Sequence, residues 1–118
     1  MKIIKSYLIA LLITGLFYLN TACKKTEYVL PDCIAYKIEQ IKQEPVRNPP
    51  ASVWMYIHMG RVYYYIPPFC CDQYSILMDE NCRIICAPGG GITGHGSGNC
   101  PGFVSKLSKG ILIWRDER

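Results

Sequence analysis

Alternation of apolar and polar side chains is the strongest regular signal in the chain. In "SVWMYIHM" at 52–59, Val53, Met55 and Ile57 fall on one side and Trp54, Tyr56 and His58 on the other, which is the period of a strand. A second run, "RVYYYI" at 61–66, follows Met59-Gly60. A two-residue turn there pairs His58 with Arg61, Ile57 with Val62, Tyr56 with Tyr63, Met55 with Tyr64, Trp54 with Tyr65 and Val53 with Ile66. This register sorts aliphatic side chains onto one face and an aromatic row, Trp54, Tyr56, Tyr63 and Tyr65, onto the other. Upstream the period lengthens. Ile34, Ile38 and Ile41 share one face of a helix predicted over 33–44, capped by Asp32 and stopped by Pro45. Segments 74–78 and 83–86 form a further hairpin through "DEN", and 111–114 adds a last strand. The predicted class is α+β: an N-terminal helix packed on an antiparallel sheet of about four to five strands.

The N-terminus follows a different pattern. A basic start at 1–5 precedes an uncharged, mostly apolar run at 6–19, shorter than the roughly 20 residues that span a bilayer. That layout is a secretory signal peptide rather than a permanent anchor. Its end, "LNTACKK", resembles a bacterial lipoprotein signal, in which cleavage precedes a cysteine that receives the lipid. Leu19 lies four positions before Cys23 where the usual box has three, a relaxed spelling similar to lipoproteins of the Bacteroidota. The implied division is a signal peptide at 1–22, lipidated Cys23 and a tether at 23–31, and a single cysteine-rich domain at 32–118.

Charge changes the picture little. The whole chain carries +4, but within 32–118 nine Lys and Arg stand against eight Asp and Glu, a balance of +1. No basic stripe argues for nucleic acid. Cysteine says more. Besides Cys23 there are six: Cys33, Cys70, Cys71, Cys82, Cys86 and Cys100. In a small exported domain, an even set reads as a disulfide framework of three bridges whose pairing the spacing does not choose. Extended, adjacent side chains point apart, so Cys70 and Cys71 are expected to staple two different parts of the fold. The rival reading is zinc, held by Cys82 and Cys86 with Cys70, Cys71, His58 or His95. The chain has no C-x-x-C pair, and an oxidising compartment disfavours thiolate ligands.

The stretch from "NPPASVW" to "NCPGF" at 48–103 is similar to a family of small, uncharacterised Bacteroidota lipoproteins. Its members look alike in the "VYY" strand, the "CCD" corner, the "IC-P-GG" stretch and a closing "C-P-x-F". The resemblance implies one compact unit from about Cys33 to the C-terminus and brings no activity with it. Relatives often carry Asp in the glycine loop where this chain has Ser97, a departure that argues against a bound cation.

Four constellations invite chemistry. Gly89, Gly91 and Gly94 in "PGGGITG" match the G-x-G-x-x-G spacing, but "HGSGNCPG" follows where the dinucleotide fingerprint needs a helix. A turn bounded by Cys86 and Cys100 explains the glycines better. His95 and Ser97 in "GHGSG" depart from the nucleophile elbow, which has Gly two before the Ser and opens a helix. Asp72, Asp79 and Glu80 could be paired carboxylates, but "DEN" reads as turn chemistry. The aromatic row Trp54, Tyr56, Tyr63 and Tyr65 is the best binding candidate, rimmed by His58 and Arg61. Its competitor is burial beneath a second layer, such as the C-terminal segment with Ile111 and Trp114.

These observations predict a non-enzymatic cell-envelope module without cofactor or metal. It is anchored to the membrane through its N-terminal lipid, at the outer membrane facing the periplasm or the surface, and binds a glycan or envelope protein. An inhibitor of proteases or muramidases, using the loop at 87–99, is the alternative; a small hydrolase ranks below both.

Overall fold

The computed structural model describes residues 28–107 and 109–118, so the expected signal peptide and Cys23 lie outside the described residues. Helix α1 runs Asp32–Gln43 and buries Ile34, Ile38 and Ile41, the three positions that share a face. Its start differs from expectation. Pro31 is the N-cap, with no side-chain cap, and its carbonyl accepts the amides of Ile34 and Ala35 at 2.9 and 3.1 Å. Asp32 is instead the first helical residue, where its carboxylate favours the positive end of the helix dipole.

Five strands form one antiparallel sheet: β1 Ser52–His58, β2 Arg61–Ile66, β3 Ile76–Asp79, β4 Ile84–Cys86 and β5 Ile111–Arg115, in the order β4-β3-β2-β1-β5. The β1–β2 register runs from His58:Arg61 to Trp54:Tyr65 as the alternation requires. Met59 and Gly60 both take positive φ, 49° and 75°, the handedness a tight hairpin turn demands. β3 starts at Ile76 rather than 74, because Tyr74 and Ser75 are engaged elsewhere. Tyr74 bridges Gly90, and the Ser75 amide donates to the Gly89 carbonyl at 3.0 Å.

The sheet is apolar on both faces. One face, with Val53, Met55, Tyr64, Ile66 and Met78, meets α1 in the main core, joined by Ile111, Ile113 and Trp114. Tyr64 sits among these aliphatics, and burial, with a smaller contribution from Glu80, pushes its phenol above the ordinary range. The other face holds Tyr63, Leu77 and Cys86 beneath Phe103, Val104 and Leu107, which lie on and beside a short 3-10 turn, Val104–Lys106.

Two disulfides hold these layers. Cys33–Cys82 ties the first turn of α1 to the β3–β4 turn across 49 residues of sequence. Cys86–Cys100 ties β4 to the segment that roofs the second face, across 14 residues. Cys70 and Cys71 are exposed thiols, so the expected third bridge, with this pair stapling two distant parts, is corrected to none. The expectation assumed extended backbone, whereas Cys71 has φ +55°. The zinc alternative loses Cys82 and Cys86, each of which belongs to a bridge.

The C-terminus closes the main core. The Asp116 amide donates to the Ala51 carbonyl at 2.9 Å, and its buried carboxylate holds Arg118 through Nε at 3.0 Å and Nη2 at 2.7 Å. Arg118 Nη1 in turn donates to the Lys42 carbonyl at 2.6 Å, at the end of α1. Carbonyls that a helix leaves without partners are thereby satisfied by the far end of the chain.

Candidate functional site: a tyrosine groove

The aromatic row does not stand open as a flat ladder. Tyr63 is sealed under Phe103, ring centroids 5.0 Å apart, and His58 stacks on the same ring at 5.4 Å. Trp54 is half-buried, its indole N–H donating to Ser52 Oγ at 3.0 Å. Tyr56 and Tyr65, which meet edge to face at 6.4 Å, are left partly accessible. The cover is also not the one expected. Ile111 and Trp114 pack with the helix-side core, and Phe103, Val104 and Leu107 supply the roof.

Because the roof stops short of Tyr56 and Tyr65, a groove of about 360 Å³ remains between sheet and roof. Tyr56, Tyr65 and Leu77 form its floor, Val104 and Leu107 one wall, Pro88 and Gly89 another, and Lys109 with Gly110 the rim. Burial, and then the neighbouring Tyr65, push the Tyr56 phenol above its ordinary range. It therefore stays neutral at physiological pH and can both donate and accept a hydrogen bond. Gly110 shapes the site, since a Cβ there would come within 2.7 Å of the Tyr56 ring. Of the four candidate binding residues, Tyr56 and Tyr65 line the groove, Tyr63 lies in the cluster beneath the roof, and Trp54 is not among the lining residues. Sequence reading missed Lys109, Gly110, Val104 and Leu107. They belong to an irregular segment with no periodicity to mark which way it faces.

The glycine loop at 87–99 is a built element and not a phosphate cradle. The Gly89 amide donates to Ser75 Oγ at 2.8 Å, the Gly91 amide to the Gln73 carbonyl at 3.1 Å and the Gly94 amide to the Gly91 carbonyl at 3.0 Å. All three amides of the apparent fingerprint are thus already used. A Cβ at Gly90 would lie 2.1 Å from the Gln73 carbonyl oxygen, and one at Gly96 only 2.0 Å from that of Ala87. Those two glycines let the loop press against the β2–β3 corner and fold back on itself. Ser97 fastens it. Its amide donates to the Ala87 carbonyl at 3.0 Å, and its hydroxyl accepts the Ala87 amide at 3.2 Å and contacts Asn99 Oδ1. His95 and Ser97 are both exposed, and the Ser97 hydroxyl is engaged in these loop contacts.

Of the acidic residues, Asp79 Oδ1 accepts the amides of Asn81 and Arg83, each at 2.9 Å. Burial opposes ionisation of Asp79, but these amides and the Arg83 guanidinium outweigh it and hold the carboxyl below its usual range. Glu80 faces Arg61 at 3.8 Å, and Asp72 is exposed at the "CCD" corner. Asp79 serves the turn, whereas Glu80 reaches across to β2, where it also accepts the Val62 amide at 3.4 Å.

Neither the curated proteins nor the solved structures contain a match to this chain. A family model does match, over residues 39–116, from the middle of α1 through β5 and the buried Asp116. The match takes in the whole sheet, its roof and the groove between them, and the chain belongs to the family described as a domain of unknown function (DUF6970).

Proposed function

We propose that the protein is a non-enzymatic, lipid-anchored module of the bacterial cell envelope, at the outer membrane facing the periplasm or surface, which binds a glycan in the Tyr56–Tyr65 groove. The groove carries this reading. Two partly accessible tyrosine rings on a rigid sheet offer flat surfaces to the C–H faces of a sugar. Their hydroxyls and the Lys109 ammonium offer polar contacts, in a volume of about 360 Å³ that suits a small ligand. The anchor rests on "LNTACKK" at 19–25. The non-enzymatic reading draws support from Ser97 and Asp79, whose polar groups are committed to loop and turn contacts.

The test is equilibrium binding to defined envelope oligosaccharides, including peptidoglycan fragments. Tyr56→Ala and Tyr65→Ala are each expected to weaken binding about tenfold, or ~1.4 kcal/mol, while Ile57→Ala on the opposite face leaves it unchanged. Absence of binding to any of them, or equal binding by all variants, would remove the glycan reading. Cys23→Ala is expected to move the protein from the membrane to the soluble fraction; unchanged fractionation would remove the anchor.

One observation favours inhibition of a protease or muramidase as the second reading. Ile92 is 90 % exposed at the tip of a loop whose ends are bridged and whose interior is hydrogen-bonded, a preorganised presentation. Inhibition abolished by Ile92→Asp and untouched by Tyr65→Ala would establish it over the glycan reading.

A further inference from the structure

Cys70 and Cys71 stand apart from the other cysteines of the described residues. Cys33 with Cys82 and Cys86 with Cys100 are joined, whereas these two adjacent thiols are exposed. They occupy the corner between β2 and β3, and that corner is held in place. Phe69, just before them, lies under the Arg47 guanidinium at 4.8 Å, and Arg47 Nη2 donates to Glu44 at 2.6 Å. Just after them, the Gln73 amide donates to the Cys70 carbonyl at 3.1 Å, closing a turn around the pair. Inside that turn Cys71 has φ +55°, a backbone conformation that L-residues with side chains adopt rarely. In an extended chain the two side chains would diverge; the left-handed conformation at Cys71 takes the pair out of that alternation. Contact with the Cys71 thiol is the leading cause that raises the Cys70 pKa, with burial and the charge of Asp72 adding to it.

Two thiols presented side by side on a clamped, exposed turn have a specific chemistry. We propose that Cys70 and Cys71 are a reversible redox site, closing to a disulfide between adjacent residues by exchange with an external disulfide and reopening when reduced. One thiol loses its proton to solvent, and its sulfur attacks the external disulfide. That S–S bond breaks, releasing one thiolate and leaving a mixed disulfide. The neighbouring thiol, deprotonated in turn, attacks the protein sulfur of the mixed disulfide and releases the second thiolate. The pair gives up two electrons and two protons, and the external disulfide becomes two thiols. Conditions that form the two structural bridges supply such an oxidant to the exposed pair as well. Reversibility follows from geometry. Adjacent Cα atoms across a trans peptide are about 3.8 Å apart, below the range of about 4.4–6.8 Å that disulfides favour, so the bond is strained and easily reduced.

The test uses the purified full chain, equilibrated with mixtures of oxidised and reduced glutathione, acid-quenched and alkylated. Chymotrypsin cuts after Phe69 and Tyr74 and releases Cys70-Cys71-Asp72-Gln73-Tyr74 for mass analysis. The expected result is a peptide lighter by two hydrogen atoms in oxidising mixtures, which regains them and takes up alkylating agent in mixtures that leave Cys33–Cys82 and Cys86–Cys100 intact. Cys70→Ser and Cys71→Ser, each deprived of the second thiol, are expected to accumulate a glutathione adduct that the parent protein clears. Three results would overturn the proposal: free thiols in every mixture, a stable glutathione adduct in the parent protein equal to that of the variants, or a bridge from either residue to another cysteine or a second copy.

Discussion

Removing the bridges one at a time tests how the two layers are held. Cys33–Cys82 closes 49 residues of sequence and Cys86–Cys100 closes 14. Loop-closure entropy then assigns about 4 kcal/mol to the first and about 3 kcal/mol to the second. Cys86 is 5 % exposed, so its replacement by Ala leaves a small void worth a further ~1 kcal/mol. Cys33→Ala/Cys82→Ala and Cys86→Ala/Cys100→Ala should therefore lose similar totals in urea unfolding, each a large share of the roughly 5–15 kcal/mol that stabilises a domain. What separates them is location. Amide hydrogen exchange should show the first variant loosening the start of α1. The second should lose protection at Lys106 and Leu107, whose amides donate to Phe103 and Val104 within the roof. A cost below about 1 kcal/mol for either pair, or unchanged roof protection when Cys86–Cys100 is absent, would refute the view that each bridge fastens one layer.

The remaining predictions concern packing, loop and pH. Ile34→Ala should cost about 2–5 kcal/mol in urea unfolding, whereas Ile57→Ala should cost within about 0.5 kcal/mol, since Ile34 is fully buried and Ile57 is 54 % exposed although both belong to apolar faces. Gly90→Ala should destabilise more than Gly98→Ala. Both φ values are positive, but only Gly90 adds a Cβ 2.1 Å from a backbone carbonyl, while Gly98 has nothing within 4 Å; thermal melts of the two variants check the order. The Arg118 hydrogen bond, against the opposing effect of burial, holds the Asp116 carboxyl below its usual range. A depressed carboxylate gives stability that is complete above the unfolded pKa of about 3.9 and is lost as pH falls through the folded value. Asp116→Asn should accordingly lower the Tm at neutral pH and flatten its decline below about pH 4.

Most of the sheet was legible because its signals are local. The β1–β2 register follows from alternation plus a Met-Gly turn, and α1 from Ile34, Ile38 and Ile41 ahead of Pro45. Errors arose where tertiary contacts decide. Tyr74 and Ser75 continue the alternation of β3 but are drawn off to the glycine loop, a partner 14 residues away from Ser75 in sequence. Ile57 has the parity of a core residue yet lies exposed near the hairpin tip. The groove was half visible. Its tyrosines come from a periodic strand pair, while its roof and rim come from Phe103, Val104, Leu107, Lys109 and Gly110, which follow the Cys86–Cys100 bridge and fill the space above Leu77. The pairing of Cys33 with Cys82 depends on where the β3–β4 turn meets the start of α1, which spacing alone does not encode.

The most direct test of the account is an amide-shift titration of the protein with the envelope oligosaccharide that binds tightest. The account predicts shifts clustered at Gly89, Leu107, Lys109 and Gly110 around the Tyr56 and Tyr65 rings, and their loss in Tyr65→Ala. Shifts confined to the 92–95 tip of the glycine loop, or no shifts with any envelope oligosaccharide, would contradict it.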